Sequence, residues 1–472
     1  MGTISDKLMR IINTKEDIRQ ALISKGYDVP TSIPFKEYAK MISDLPCRVD
    51  SFPDTEGIVA RYSALGLTNE QMAANPVWVD KTGNGHDLQM KNFAWKEGSG
   101  ISDIYPGALV FDGVDDWAGC DNLPLLPKEK GYSIIALRNW ITRYDATQYK
   151  RPLISNLDTN DEGAFLIEYR KDENVNDVTG SYNSFTDVYI DDNNPITWQT
   201  SSSYNGQIIK KGTSKSTNKT CICKTYFGQL SNYANAAIWE LIILDHDATE
   251  EELTKIKDYF VKTYPWLFPD QAWTVTGKTN EDEDRATIAN ITGNSNDLVL
   301  SNFGFVEGSG YNEEGEYAGY LVTDGVDDKV VSAESIAFTD TWTIITDTVF
   351  LGKVSVASGI LASNIFTVYN YQGSGTIAVT MGEGGSSLRV ITSSIKAFSS
   401  DGTIYDAEWN EYHVEIGTIR ALERLLKIGT SSNETSYFCQ LAFKFLGIYN
   451  NQILSKEDCI KAYNYLQTLK AK

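Results

Sequence analysis

The sequence predicts a mainly β protein, with two tandem antiparallel β-sandwich domains behind a small α-helical N-terminal module. Two observations lead to this prediction. An internal repeat covers most of the 472 residues, and within each copy short runs of β-branched and aromatic residues alternate with turn signals. Because a typical domain holds roughly 100–150 residues, a chain of this length is expected to form two or more domains.

The N-terminal module is predicted to span residues 1–46. Thr14 is suited to cap a helix that ends at Gly26, and Pro34 is suited to open a second helix. A segment of this size is too short to form a core of its own. We therefore expect it to anchor the chain to its own domains, to other copies or to a larger assembly. The expected anchoring residues are the apolar ones at helical spacing: Leu8, Ile11, Ile12, Ile18, Leu22, Phe35, Tyr38 and Ile42.

The repeat divides the rest of the chain into two domains, predicted at residues 47–268 and 269–472. The first copy reads DKTGNGHDLQMKNFAWKEGSG from residue 80 and ALVFDGVDD from residue 108. The second copy reads NITGNSNDLVLSNFGFVEGSG from residue 290 and YLVTDGVDD from residue 320. Leu88 therefore aligns with Leu298, and Gly113 aligns with Gly325.

The interior of each copy is typical of antiparallel sheets. Runs such as YSIIALRNWIT (132–142) and TWTIITDTVFL (341–351) are separated by Asn-Gly and Asp-Gly turns. Each copy closes with an apolar strand, a capping-box signal and a short amphipathic helix. The two capping boxes are Thr249-x-x-Glu252 and Ser455-x-x-Asp458. Many short strands at this spacing indicate a sandwich of two antiparallel sheets.

Composition and charge exclude several classes of partner. The chain has 42 Lys and Arg against 63 Asp and Glu, a net charge of −21. Because binding to a phosphate backbone requires clustered basic residues, we expect no nucleic-acid partner, and the same charge disfavours an anionic membrane surface. No stretch of about 18 apolar residues and no signal-peptide core is present. The six cysteines are scattered and are expected to be reduced thiols.

An Asp-rich turn occurs once in each copy, at residues 112–116 and 324–328. Calcium prefers six to eight oxygen ligands, so these carboxylates leave calcium binding as an alternative. Turn chemistry is the favoured interpretation, because Asp-Gly forms a tight turn, after which Val114 and Val326 are expected to return to the core. We therefore expect no cofactor, with calcium as the alternative.

Catalytic residues are not indicated by the sequence. A retaining glycosidase needs two carboxylates about 5–5.5 Å apart. The nearest candidate, residues 281–284, is flanked by turn residues and is expected to be a solvated loop. Glu168 and Glu240 stand alone on their strands and lack a carboxylate partner. His413 is expected to pack within its strand, so no Ser-His-Asp triad is indicated. The chain is therefore predicted not to be an enzyme.

Glycan binding would use exposed aromatic rings together with Asn, Asp and backbone groups. Residues 180–207 are rich in Tyr, Asn, Ser and Asp, and the second copy has a shorter cluster before Gly373. The alternative is that these rings close the ends of the sandwich cores. The candidate glycan-binding residues are Tyr182, Tyr189, Trp198, Tyr204, Tyr369, Asn370 and Tyr371.

Several of these motifs resemble known families. DKTGNGHDL (Asp80–Leu88), FDGVDD (Phe111–Asp116) and ELIILDHDATEEEL (Glu240–Leu253) resemble the laminin-G-like, concanavalin A-like jelly-roll superfamily, as do TGNSNDL, TDGVDD and WNEYHVEIG in the second copy. This resemblance covers roughly residues 50–472. The segment Ile12–Ile42 resembles short helical segments at the start of tailed-bacteriophage virion proteins, among them fibre and appendage proteins of crAss-like phages.

Together the resemblances imply a structural virion protein, a tail fibre, head fibre or capsid decoration that presents glycan-binding-type jelly rolls for host attachment. The implied partners are other virion proteins, further copies of the chain, for which a trimer is one form, and bacterial surface polysaccharide. The implied location is the virion, assembled in the host bacterial cytoplasm. Two alternatives stay open: a polysaccharide depolymerase of the same fold, and a purely architectural capsid decoration without a ligand.

Overall fold

The structure of the chain is a computed structural model. Apart from Lys15 and Arg19, it describes residues 52–124, 132–141, 150–156, 166–170, 187–189, 196–201, 218–225, 227, 232–352, 358–363, 366–370, 376–381, 387–417, 423–430 and 438–471. All eight predicted anchoring residues lie outside this part of the chain. No helix in the described part is long and apolar enough to cross a membrane.

The chain divides into two compact units. The first is Met1–Asp54 with Thr254–Thr263, and in it the rings of Phe52 and Tyr259 meet edge to face with their centroids 5.1 Å apart. The second is Thr55–Leu253 with Tyr264–Lys472, and it contains both β-sandwiches. The boundaries 1–46, 47–268 and 269–472 stay a prediction.

The mainly β, antiparallel sandwich fold predicted from the sequence is confirmed. The described strands of the first sandwich are β1 (Ile58–Ser63), β2 (Val77–Trp78), β3 (Leu88–Lys91), β4 (Gly100–Ile101), β5 (Leu109–Asp112), β6 (Trp117–Cys120), β7 (Tyr132–Trp140), β8 (Lys150–Ser155), β9 (Leu166–Arg170), β10 (Asp187–Tyr189), β11 (Ile196–Ser201), β12 (Thr220–Ile222) and β13 (Asn235–Leu244). They form one sheet in the order β10-β11-β7-β13-β5-β4, with β1 also on β13, and a second in the order β2-β3-β6-β12-β8-β9.

The second sandwich repeats this plan. Its described strands are β14 (Gln271–Thr274), β15 (Thr287–Ile288), β16 (Leu298–Ser301), β17 (Gly310–Tyr311), β18 (Leu321–Val322), β19 (Lys329–Ser332), β20 (Ile336–Ala337), β21 (Trp342–Phe350), β22 (Ser358–Ser363), β23 (Phe366–Asn370), β24 (Thr376–Met381), β25 (Ser387–Ile391), β26 (Ile395–Ser399), β27 (Thr403–Asp406), β28 (Glu411–His413), β29 (Glu423–Arg424), β30 (Lys427–Ile428) and β31 (Leu441–Asn450). One sheet runs β17-β18-β31-β21-β26-β27-β28 with β14 on β31, the other runs β15-β16-β19-β30-β22-β23-β24-β25, and β20 pairs with β29.

Each sandwich buries its own hydrophobic core between its two sheets, as alternation of side chains along strands requires. The first core includes Trp78, Phe111 and Ile238. The second core includes Trp342 and Phe398, whose rings meet edge to face at 5.9 Å. The two cores share no residue, so each copy of the repeat is a separately packed sandwich.

Three α-helices lie in the described part of the chain: α1 (Asn69–Ala74), α2 (Glu250–Thr263) and α3 (Lys456–Thr468). Both predicted capping boxes are confirmed. The Glu252 backbone N–H donates to Thr249 Oγ1 at 3.2 Å, and the Asp458 backbone N–H donates to Ser455 Oγ at 3.1 Å. These bonds satisfy N–H groups of the first turn, which fixes where each helix begins.

The repeated residues make the same hydrogen bonds in both copies. The Asn69 side chain accepts from the Ile101 N–H at 2.7 Å and donates to the Ile101 carbonyl at 2.8 Å. Asn280 makes the equivalent pair of bonds with the backbone of Tyr311, both at 2.8 Å. These shared residues hold the loops of the fold. A binding site is therefore better sought among the residues that differ between the copies.

Helix α3 contacts the first sandwich. The rings of Tyr465 and Trp239 meet edge to face with their centroids 6.3 Å apart, and Asn464 Nδ2 donates to the Asp103 carbonyl at 3.2 Å. At the junction between the copies, the Tyr449 hydroxyl donates to the Trp266 carbonyl at 2.9 Å. The two sandwiches are thus joined by side-chain contacts as well as by the chain.

Candidate functional site

The glycan-binding residues predicted from the sequence are only partly described. Tyr182, Tyr204 and Tyr371 lie outside the described residues. The backbones of Tyr189 on β10 and Trp198 on β11 stand directly opposite each other in the antiparallel register, so the structure brings these two positions together. The remaining two, Tyr369 and Asn370, end strand β23 in the second sandwich.

One sheet face distinguishes the two copies. In both, the register of the central strand pair shifts at the same point, beside Leu137 of β7 and beside Asp347 of β21. Aligning the copies on this shift shows that three fully buried apolar residues of the first sandwich are replaced by polar or aromatic residues in the second. The equivalent pairs, first copy first, are Ala108 and Tyr320, Leu137 and Asp347, and Trp239 and Lys444.

The polar face forms a row across four neighbouring strands, β31, β21, β26 and β27, and continues to the residue that precedes β18. Core residues alternate with its members along the strands. We call the row, with one residue of the β27–β28 turn and one of α3, the Asp347 cluster. Its members are Tyr320, Asp347, Lys396, Tyr405, Trp409, Lys444 and Tyr463.

Asp347 is the acidic centre of the cluster and is 6% exposed. The Tyr320 hydroxyl donates to its Oδ2 at 2.9 Å. Burial raises the pKa of the Asp347 carboxyl, while hydrogen bonds from Tyr320 and Tyr463 and the charges of Lys444 and Lys396 act in the opposite direction. Desolvation is the larger effect because a carboxylate loses most of its hydration at this depth.

Two lysines flank this carboxyl, and each rests on aromatic rings. Lys444 Nζ lies 5.2 Å from the centroid of the Tyr320 ring. Lys396 Nζ lies 4.7 Å from the Tyr463 ring and 5.3 Å from the Trp409 ring. Within the described part of the chain, neither ammonium has a carboxylate oxygen within 4.0 Å. Both cations are therefore held by ring quadrupoles, and they act on Asp347 through their charges without a direct ion-pair contact.

The β27–β28 turn holds Trp409 in a left-handed backbone conformation, with φ of +61°. Asp406 fixes this turn, because its carboxylate accepts from the backbone N–H groups of Glu408 and Asn410 at 2.9 and 2.8 Å. Burial opposes ionisation of Asp406, yet these hydrogen bonds outweigh it and lower the pKa. The indole is half-buried and meets the Tyr463 ring edge to face at 5.7 Å.

The cluster also seats helix α3. The Tyr463 ring packs on Phe445 with the centroids 5.1 Å apart, and a side chain at Gly447 would lie 2.8 Å from Leu466. Helix α3 therefore packs beside partly exposed aromatic rings, two ammonium groups and one carboxyl. This arrangement can stack on the face of a sugar ring and form hydrogen bonds with its hydroxyl groups.

The buried acid of the first copy is Glu240 of β13, the strand that pairs with β7. Its charge is balanced by Arg61. Arg61 Nε lies 3.1 Å from Glu240 Oε2, and the Tyr264 hydroxyl donates to Glu240 Oε1 at 2.9 Å. Arg61 and Glu240 are both almost completely buried. A buried pair with its hydrogen bonds satisfied leaves no group for a ligand.

Each Asp-rich turn uses two of its carboxylate oxygens to accept from backbone N–H groups. Asp112 Oδ1 accepts from the Val114 N–H at 2.8 Å, and Asp324 Oδ1 accepts from the Val326 N–H at 2.7 Å. The expectation that these valines return to the core is wrong: they are 71% and 70% exposed, because each stands at the tip of its turn. In each turn three carboxylates converge within 4.8 Å, so the calcium alternative stays open.

The other candidate groups are dispersed. His413 is exposed on β28, at the sheet edge, so the expectation that it packs within its strand is wrong. Lys278 Nζ lies 2.6 Å from Asp284 Oδ2 in the acidic loop, and Thr279 donates to Asp282. His246 lies 3.1 Å from Asp245 and 3.1 Å from Glu252.

No protein-family model matches the sequence, and a search of curated proteins finds no match. Among solved structures, the chain is similar to the binding domain of botulinum neurotoxin serotype D/C over 82% of this chain and 99% of that domain, at 10% identity and a TM-score of 0.31. Trypanosoma rangeli sialidase in complex with the inhibitor DANA covers 49% of this chain at 9% identity and a TM-score of 0.31, and the chain spans 40% of the sialidase.

Proposed function

We propose that this protein is a non-enzymatic virion protein of a tailed bacteriophage, a fibre or decoration protein, whose second sandwich binds carbohydrate at the Asp347 cluster. One observation carries the binding part of the proposal. A sheet face on which the first copy has the fully buried Ala108, Leu137 and Trp239 carries half-buried aromatic rings, two lysines and a carboxyl in the second copy.

The chemistry of the cluster suits a sugar better than a reaction. Trp409 and Tyr463 can contribute stacking surfaces, while the Tyr320 hydroxyl and Asp347 supply hydrogen-bonding groups. Hydrolysis with retention would need a second carboxylate about 5–5.5 Å from the first. The groups that act on Asp347 in the described part of the chain are tyrosines and lysines, which supports binding without catalysis.

The binding proposal is tested with the full chain on an array of neutral and acidic bacterial surface oligosaccharides. We expect Trp409→Ala to weaken binding of the captured glycans by about tenfold, because loss of a stacked ring costs on the order of 1–1.5 kcal/mol. Trp117→Ala is the matched control, since Trp117 is a partly exposed tryptophan of the first sandwich. Equal loss in both variants, or a silent array, would overturn the proposal.

The depolymerase alternative makes a different prediction with the same material. Incubation of the full chain with bacterial capsular polysaccharide is expected to release no reducing ends above the blank. Release that Asp347→Asn abolishes would establish hydrolysis at this cluster. Array silence at high protein concentration, combined with firm binding to particles, would favour the purely architectural role.

The virion part of the proposal is supported by the resemblance of Ile12–Ile42 to N-terminal segments of phage virion proteins. Deletion of residues 1–46 should abolish incorporation into particles while the two sandwiches stay folded. Particle composition by mass spectrometry and circular dichroism of the truncated chain measure these two outcomes. Normal incorporation of the truncated chain would contradict the anchoring role.

A further inference from the structure

We propose that the Asp347 cluster selects an acidic sugar, whose carboxylate is bound by Lys396 and Lys444. The inference rests on the proposed carbohydrate binding and adds the class of ligand. It begins from the two ammonium groups, which lie on aromatic faces and have no carboxylate oxygen within 4.0 Å in the described residues.

The two lysines lie on either side of Asp347 and can therefore contact one ligand together. Lys444 is on β31 and Lys396 is on β26, and β21 with Asp347 runs between these two strands. Both lysine side chains are partly exposed. A carboxylate placed above this face would meet ammonium groups from two sides, and each contact would be a charge-assisted hydrogen bond.

The overall charge of the protein makes such a pair informative. A chain with a net charge of −21 repels anions overall, so an anionic ligand gains most where two ammonium groups lie close together. The acids near the cluster form hydrogen bonds of their own: the exposed Glu411 accepts from the Tyr405 hydroxyl at 3.3 Å, and the buried Asp406 accepts from the backbone of its own turn.

The rings and the carboxyl complete the selection. Trp409 and Tyr463 provide apolar edges beside Lys396, which suits a pyranose ring whose carboxylate reaches the ammonium. Asp347 already accepts from Tyr320 and can accept from a ligand hydroxyl through its remaining lone pairs. A neutral sugar would satisfy the rings and Asp347 but would leave both lysines without a carboxylate in direct contact.

The experiment measures binding of the full chain to tetrasaccharides of galacturonate, mannuronate and hyaluronan by calorimetry. Each is compared with its carboxyl-reduced counterpart, in which every uronate is a neutral hexose. We expect at least one acidic member to bind, with a loss of about tenfold or more on reduction. A sulfated tetrasaccharide without carboxylates separates recognition of a carboxylate from recognition of any anion.

Substitutions assign the effect to the cluster. Lys396→Gln and Lys444→Gln should each weaken the acidic ligand by about fivefold to tenfold and weaken the reduced one by much less. Lys91→Gln removes the same charge from an exposed position of the first sandwich and should change neither. Circular dichroism of each variant verifies that it is folded.

The outcomes separate this inference from the proposed function. Equal binding of acidic and reduced ligands, both lost in Trp409→Ala, would overturn the carboxylate selection and leave carbohydrate binding in place. Binding of the sulfated ligand alone would also overturn it. Absence of binding to every neutral and acidic member would overturn the proposed function and this inference together.

Discussion

Gly113 stands in the Asp-rich turn of the first copy, with φ of +77° and with Asn235 close to the position that a Cβ atom would take. A Cβ atom there would lie 2.8 Å from Asn235 Cβ and 3.0 Å from Asn235 N. Gly83 has φ of +78° and nothing within 4 Å of the same position. The two glycines therefore separate the cost of the backbone conformation from the cost of the close approach.

We expect Gly83→Ala to lower the free energy of unfolding by about 1 kcal/mol, the cost of a left-handed residue with a side chain. Gly113→Ala should lower it by about 2–4 kcal/mol, because the new methyl group also displaces Asn235. Urea denaturation of the two variants measures the difference. Equal losses would show that the turn accommodates the methyl group without cost.

Asp116 and Asp328 are equivalent acids of the two Asp-rich turns, and burial raises the pKa of each to about 6. The ordinary value is 3.8, so the folded state binds the proton more tightly than the unfolded chain does. Each group therefore stabilises the fold as the pH falls through about 6, and this contribution is absent at higher pH.

We expect Asp116→Asn to raise the free energy of unfolding by about 1 kcal/mol at pH 7.5, because it removes a poorly solvated charge and keeps an oxygen for the Asp112 N–H. The gain should vanish at pH 4. Denaturant unfolding at both pH values measures it, with Asp328→Asn as the replicate in the second copy. A calcium-dependent rise in the wild-type melting temperature, lost in the variant, would reverse the conclusion and establish a metal site.

The residues of the Asp347 cluster could not be assembled from the sequence. They occur at separate positions from Tyr320 to Tyr463, and only the sheet order β18-β31-β21-β26-β27 brings them together. One signal was nevertheless present. In TWTIITDTVFL, Asp347 is the only charged residue of an otherwise uncharged strand, and the first copy has Leu137 at the equivalent position. Comparison of the two copies would have marked it as a candidate.

At the scale of elements, the sequence was most informative where local chemistry decides the structure. The capping boxes at Thr249 and Ser455 could be predicted because side chain and backbone are three residues apart. The exposure of Val114 could not, because it depends on the direction in which the turn leaves the sheet. The assembly of the Asp347 cluster likewise depends on which strands become neighbours, which is a non-local property.

Helix α2 offers a test of a pH-dependent cap. His246 Nε2 lies 3.1 Å from Glu252 Oε1 of the capping box. Burial lowers the pKa of His246, but its hydrogen bonds to Asp245 and Glu252 outweigh this and raise it above the ordinary 6.5. The ion pair therefore contributes fully below pH 6.5 and is lost as the pH rises through the folded-state pKa.

We expect His246→Gln to lower the free energy of unfolding by about 0.5 kcal/mol at pH 5.5 and by much less at pH 8.5, since the pair is partly exposed and screened. Ser455→Ala is the control. It removes the cap of α3 at a cost of about 1 kcal/mol, and the loss should be the same at both pH values because a hydroxyl does not titrate there. A His246→Gln loss that is independent of pH would contradict the ion pair.

At the scale of the whole molecule, the equivalent sheet faces of the two copies differ in their side chains more than the two sandwiches differ in fold. In the first sandwich, Trp239 is fully buried and is not a member of the hydrophobic core, because its ring meets Tyr465 of α3. In the second, the equivalent Lys444 is partly exposed. The face of the first sandwich contacts α3, and in the proposed function the equivalent face of the second sandwich binds a ligand. Several weak sites on an oligomer would then gain strength by multivalency.

This division predicts how the protein unfolds. Because Tyr465 and Asn464 of α3 contact the first sandwich, and Tyr449 contacts Trp266 at the junction, we expect one calorimetric transition for both sandwiches. Trp239→Ala should split it into two, since the lost ring lies outside the first core. Trp78→Ala removes an indole from that core and should lower the melting temperature by several degrees without a second transition. Two transitions in the wild type would mean that these contacts do not couple the sandwiches, and one transition in Trp239→Ala would mean that the Trp239–Tyr465 contact is not required for the coupling.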